Sequence, residues 1–222
     1  MSTTTLPAPV APPAAPATTS PPARPVAPAW PFKAYTALHR FRVEDYQKMI
    51  DAGILTDEDA VELLEGFVVH KMPRNAPHDS TIAKLYRRLD RLAPNGWVVR
   101  CQSGTQLTES RPEPDMAIAR GGETAFDARQ PLPSDLVLVV EVSDSSLDRD
   151  RHDKGRIYAG DGIPVYWIVN LVDRQVEVYS NPTGPVPDAR YQRHQIYYAG
   201  ANVLLELDGN AVGAIAVNDL LP

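Results

Sequence analysis

The chain has 222 residues, 22 Lys and Arg against 28 Asp and Glu, a net charge of −6 and a single cysteine, Cys101. One cysteine excludes an intrachain disulfide and a cysteine-built zinc site, and it fits a reducing, cytoplasmic setting. No run of about 18 apolar residues could cross a membrane. The acidic balance argues against a surface that coats nucleic acid, though a small carboxylate-lined cleft can coexist with it.

Residues 1–31 hold ten of the 22 prolines and one charged side chain, Arg24. Proline removes backbone donors, and few large apolar side chains are present to bury, so a disordered Pro/Ala-rich tail is expected. The prolines also interrupt every candidate signal peptide. Residues 32–222 are long enough for a single domain with one core.

The folded part opens with a helix over 41–52, where Val43, Tyr46, Met49 and Ile50 recur at helical spacing and Gly53 ends it. Thr56 and Asp59 suggest a second, short helix start. Residues 61–72 read as strand around Phe67-Val68-Val69, broken by Pro73 to Pro77. The clearest helix runs from His78 to Ala93, with Ile82, Leu85, Leu89 and Leu92 on one face. Lys84, Arg87, Arg88 and Arg91 form a row on another, either a solvated face or a contact for nucleic-acid phosphates.

Strands are expected at 97–102, 115–120 and 135–142, then a helix over about 148–159, strands at 165–171 and 175–180, and an edge strand at 203–207. Leu136 to Val140 is apolar on both faces, the mark of a central strand covered on both sides. Three meandering strands and a helical crossover give a mixed central sheet flanked by helices, an α/β (α+β) sandwich.

Glu141 carries the most information, because it follows five apolar residues where an unpaired carboxylate is costly. Asp115 begins the preceding strand, after Pro112-Glu113-Pro114. Antiparallel pairing of the two strands brings Asp115 and Glu141 to one edge. Two carboxylates there can share a hard divalent cation that acidifies a bound water. The plain alternative is two strand-end carboxylates, one capped by backbone donors and one solvated. Lys154, 13 residues after Glu141, can fold back over the strand end to neutralise the acids or stabilise charge on a phosphate, or it can simply pair with Asp150 along its helix. The five histidines have no HExxH or HxH spacing, and no serine sits in a Gly-x-Ser-x-Gly elbow.

Glu62-Leu63-Leu64-Glu65-Gly66, His78, Pro114-Asp115, Glu141-Val142-Ser143-Asp144-Ser145-Ser146-Leu147, Asp150-Arg151, Lys154, Tyr158-Ala159 and Gly162-Ile163-Pro164-Val165-Tyr166-Trp167 occur in this order. Together they resemble the Uma family of restriction-endonuclease-like proteins, over about residues 38–205. The resemblance implies a PD-(D/E)XK fold and Mg²⁺-dependent hydrolysis of DNA phosphodiesters, with Mn²⁺ as a substitute. It further implies double-stranded DNA as partner, a homodimer, and Asp115 and Glu141 as metal ligands. Ser143 stands where the superfamily has its lysine, and Lys154 corresponds to the displaced one. Glu65 and His78 match recurring family positions and complete the expected catalytic set. The competing expectation is a catalytically silent module that keeps the fold and binds DNA or protein in a regulatory role.

Overall fold

The computed structural model describes Met1 and residues 38–222; the tail expected at 1–31 lies almost wholly outside the described residues. Six strands form the central sheet: β3 (Trp97–Cys101), β4 (Met116–Arg120), β5 (Leu136–Ser143), β6 (Val165–Asn170), β7 (Gln175–Pro182) and β8 (Tyr191–Tyr198), in that order. All neighbours are antiparallel except β5 and β6, which are parallel. That one parallel pair needs a crossover, and the helix between Glu141 and Pro164 supplies it.

Among the described residues, two hairpins stand outside the sheet. The first is β1 (Val61–Leu64) with β2 (Phe67–His70), and the second is β9 (Asn202–Leu207) with β10 (Asn210–Ala216). The helices are α1 (Val43–Asp51), α2 (Ala76–Leu92) and α3 (residues 147–160). Ile82, Leu85 and Leu89 of α2, together with β9 and β10, cover one face through Met116, Ile118, Leu138, Val140 and Trp167. Ile157 and Tyr158 of α3 cover the other through Ala117, Val139, Tyr166 and Ile168. With both faces covered, every residue of β5 is buried, as its unbroken apolar run requires.

Several expectations are corrected. Residues 61–72 are two strands, because Glu65 (φ 48°) and Gly66 (φ 80°) form a tight two-residue turn of the kind that demands positive φ at both positions. Thr56 starts only a single tight turn, Asp57–Asp59. The strand near 203–207 does not edge the sheet but pairs with β10, and β8 takes the edge instead. The polar sequence of β8, with five consecutive exposed residues, gave no period-2 apolar signal.

The turn at Gly66 is crowded as well as left-handed. An added Cβ would stand 2.8 Å from Arg40 Cβ and 3.0 Å from the Phe41 carbonyl oxygen. Gly66→Ala is therefore expected to cost about 2 kcal/mol or more, read as a lower urea midpoint at unchanged slope. An unchanged midpoint would contradict this packing.

Candidate active site

Residues of β4 and β5 pair antiparallel with Met116 opposite Val140, and one step further along this register sets Asp115 against Glu141. The two strands stay in phase only through a bulge. Ile118 pairs with Leu138 and Ala119 with Leu136, which leaves Val137 as an extra residue in β5. Counting by twos from Leu136, which faces α3, would put Glu141 on the α2 face. The extra residue flips it to the α3 side. There the Lys154 Nζ donates to Glu141 Oε1 at 2.9 Å, and the Tyr158 hydroxyl donates to the same oxygen at 2.8 Å.

Lys154 is in place because α3 is not a regular helix. Residues Leu147–Arg149 are α-helical, Asp150–Lys154 make one wide π turn, and Gly155–Gly160 return to α. Such a turn inserts a residue and rotates the helix beyond it, and it is frequent at functional sites. Asp150 fastens it. Its buried Oδ2 accepts from Ser143 Oγ at 2.7 Å and from Ser146 Oγ, and its carbonyl accepts from the Tyr166 hydroxyl. Ser143, standing at the superfamily's lysine position, is thus a support for the turn that delivers Lys154.

Asp115 is held from three sides. His78 Nε2 lies 3.2 Å from its Oδ2, the Val142 N–H donates to that oxygen at 2.9 Å, and Gln102 Nε2 reaches Oδ1 at 3.5 Å. His78 is aimed by its position in the first turn of α2, where Asn75 caps the helix by accepting from the His78 N–H.

Sequence reasoning missed Glu62. This β1 side chain is 2 % exposed. Its Oε1 is 3.5 Å from Lys154 Nζ and 3.7 Å from an Arg149 nitrogen, without a hydrogen bond of its own. Its Oε2 accepts from the Glu113 N–H at 3.3 Å. The signal was available, since Glu62 interrupts Val61-Leu63-Leu64 as Glu141 ends its own apolar run. Glu65, the position the family resemblance implies, pairs with Arg156 on the turn of the first hairpin and does not line the cleft.

The cleft has a volume of about 430 Å³, with Glu62, His78, Asp115, Glu141, Asp150 and Lys154 in its walls. Acids outnumber bases there, and the electrostatics reflect it. Burial pushes the Glu141 carboxyl up to about 8, with Asp150, Asp115 and Glu62 adding to the effect and Lys154 opposing it. Burial alone would lower the Lys154 pKa, but Glu141, Glu62 and Asp150 together raise it. Burial works against ionising Asp115 too, yet its bonds to His78 and the Val142 N–H hold it below the usual range; burial likewise opposes charging His78, but Asp115 and Asp79 together raise it. A site that cannot ionise all its acids with the cations it owns favours an added cation.

Among the described residues, no group of three or more His, Cys, Asp or Glu side chains converges as a ready-made metal cage. A hard cation such as Mg²⁺ does not need one, since it keeps several waters and takes only one or two protein carboxylates. Asp115 and Glu141, with the unbonded Glu62 Oε1 nearby, suit that habit.

The basic row of α2 does not meet the cleft. Lys84 Nζ donates to the Leu221 carbonyl at 2.6 Å and Arg88 pairs with Asp219 at 3.0 Å, so both hold the C-terminal segment. Arg87 and Arg91 are exposed, and Arg91 lies about 20 Å along the helix from His78.

A mixed sheet with paired acids at adjoining strand ends, met by a lysine from the crossover helix, is the framework of a restriction-endonuclease-like nuclease. The family model described as "Uma2: Putative restriction endonuclease" matches residues 43–212, and the chain belongs to that family. Its fold resembles that of a "putative nuclease belonging to DUF820" from Anabaena variabilis, with a TM-score of 0.57 at 13 % identity over 81 % of this chain and 97 % of that one. No curated protein matches the chain.

Proposed function

We propose that the chain is an endonuclease that hydrolyses DNA phosphodiesters with Mg²⁺, or Mn²⁺ in its place. The observation that carries this reading is Lys154, buried in contact with Glu141 on the strand end that Asp115 faces. When bound, the metal would supply charge neutralisation and an acidified water, held by Asp115 and Glu141. His78 keeps Asp115 ionised and oriented. Lys154 shares its charge between Glu141 and the phosphate that enters the cleft, stabilising the negative charge that grows on it. Tyr158 and the π turn fix the position of that ammonium. A homodimer and a cytoplasmic setting belong to the same proposal; the long exposed edge β8 is a surface on which a second copy can pair.

The test is cleavage of a supercoiled plasmid and of a labelled oligonucleotide with Mg²⁺ or Mn²⁺. Wild type is expected to cut, and Asp115→Ala to be slower by at least about 10²-fold. Equal cutting by both would identify a contaminant and end the proposal. The net charge of −6 favours a second reading, a catalytically silent module that binds DNA or protein in a regulatory role, which predicts salt-sensitive binding to one of them with no cutting by any variant.

A further inference from the structure

The active-site cleft does not stop at His78. A second groove, of about 620 Å³, runs along α2 and β3, and it shares two wall residues with the cleft, Arg74 and Gln102. Resting on the nuclease reading above, we infer that this groove seats the unpaired strand of a single-stranded polynucleotide substrate, with Arg74 on a backbone phosphate and Tyr86 stacked against a base.

Three observations support this. Arg74 is exposed beside the acid pair on the loop that caps α2, and no hydrogen bond or ion pair engages it among the described residues. The neighbouring cleft cations are occupied, Lys71 by Glu113 at 2.6 Å and Arg149 by the His70 carbonyl at 2.9 Å. Tyr86 is an aromatic ring 39 % exposed on a groove wall it shares with Ile82 and Cys101. From His78 to Tyr86 the helix advances about 12 Å, room for roughly three bases at stacked spacing.

Charge decides between an unpaired strand and a duplex. Proteins that hold a duplex without sequence readout neutralise several phosphates with surface cations. Here the chain is acidic, and two cations of the α2 row are committed to the C-terminal segment. An unpaired strand takes much of its affinity from stacking on aromatic rings, about five- to a hundred-fold per base, and needs few cations.

The experiment is fluorescence anisotropy on the full chain with fluorescein-labelled oligothymidylate, alone or annealed to oligoadenylate, in Ca²⁺. The single strand is expected to bind at least about tenfold tighter than the duplex. Tyr86→Ala should lose roughly tenfold on the single strand alone, with Tyr86→Trp retaining affinity. Arg74→Ala should weaken binding and flatten its salt slope by about 0.7. Duplex binding as tight as single-strand binding, or a Tyr86→Ala variant that folds and binds like wild type, overturns the inference. Cleavage of the same oligonucleotides in Mn²⁺ separates the two claims. Tyr86-dependent binding without cutting leaves the groove standing and removes the nuclease. Cutting of duplex regardless of Tyr86 does the reverse.

Discussion

Lys154→Met is expected to lower stability by about 3–5 kcal/mol and to reduce cleavage by at least about 10²-fold. Lys154 is 4 % exposed, with Glu141 at 2.9 Å and Glu62 at 3.5 Å from its Nζ. Methionine keeps the length of the side chain but takes the cation from between two buried acids, leaving Glu141 with none and Glu62 with Arg149 at 3.7 Å. For a domain of this size the stability loss amounts to a fall of about 10 °C in the thermal midpoint. Adding Glu141→Gln removes the stranded charge, so the double variant should recover part of the midpoint and none of the activity. That split separates the structural share of the pair from its chemical one. A single variant that melts with wild type would show that the buried pairing does not form.

Glu177→Leu is expected to cost about 3 kcal/mol or more, although it lies outside the cleft. Glu177 is fully buried on β7 and accepts from Arg151 Nε at 3.0 Å, Asn170 Nδ2 at 2.7 Å, Gln175 Nε2 at 3.0 Å and the Tyr179 hydroxyl at 2.7 Å. Removing the acceptor strands Gln175 Nε2 and the Tyr179 hydroxyl and leaves Arg151 and Asn170 with Asp173 alone. Arg151 belongs to the same π turn as Lys154, so cleavage should fall too. Burial opposes ionisation of Glu177, but these donors outweigh it and hold the carboxyl at about 2, against an ordinary 4.5. A depressed carboxylate stabilises the fold fully above its unfolded pKa and ceases to do so as pH falls through the folded one. Wild type should therefore lose about 2 kcal/mol between pH 4.5 and pH 2, allowing for the water that reaches Arg151. Glu177→Gln should lack that acid-side slope. Parallel pH profiles for the two proteins would refute the assignment.

Much of the fold could be read from local pattern. The run Leu136 to Val140 marked the central strand, and the stripe Ile82, Leu85, Leu89 marked the covering helix. The meander of β3, β4 and β5 followed by a crossover came out as expected, because short connections favour neighbouring strands. What failed was context-dependent. The strand β8 carries no apolar alternation since one edge and much of its surface face water, and β9 looked like a sheet edge because a strand's pattern does not name its partner. Glu62 and Glu65 stand three residues apart, and of the two only Glu62 lines the cleft. The choice depends on which of them the turn at Glu65-Gly66 carries away, and that is a property of the folded hairpin.

The sequence by itself determined that Glu141 would be a buried acid at a strand end, because burying a carboxylate in an apolar run is too costly to be incidental; that Asp115 stands near it follows from the antiparallel pairing of β4 with β5. Only the tertiary structure decided which face Glu141 takes, since one extra residue at Val137 reverses the alternation of every residue after it. Only the structure, likewise, showed how a lysine 13 residues away reaches the acid. A single π turn held by Asp150, Ser143 and Ser146 rotates Lys154 onto Glu141. A strand's period of two and a helix's period of 3.6 are written in the residues, whereas the one-residue irregularities that set their phase are selected by packing between elements.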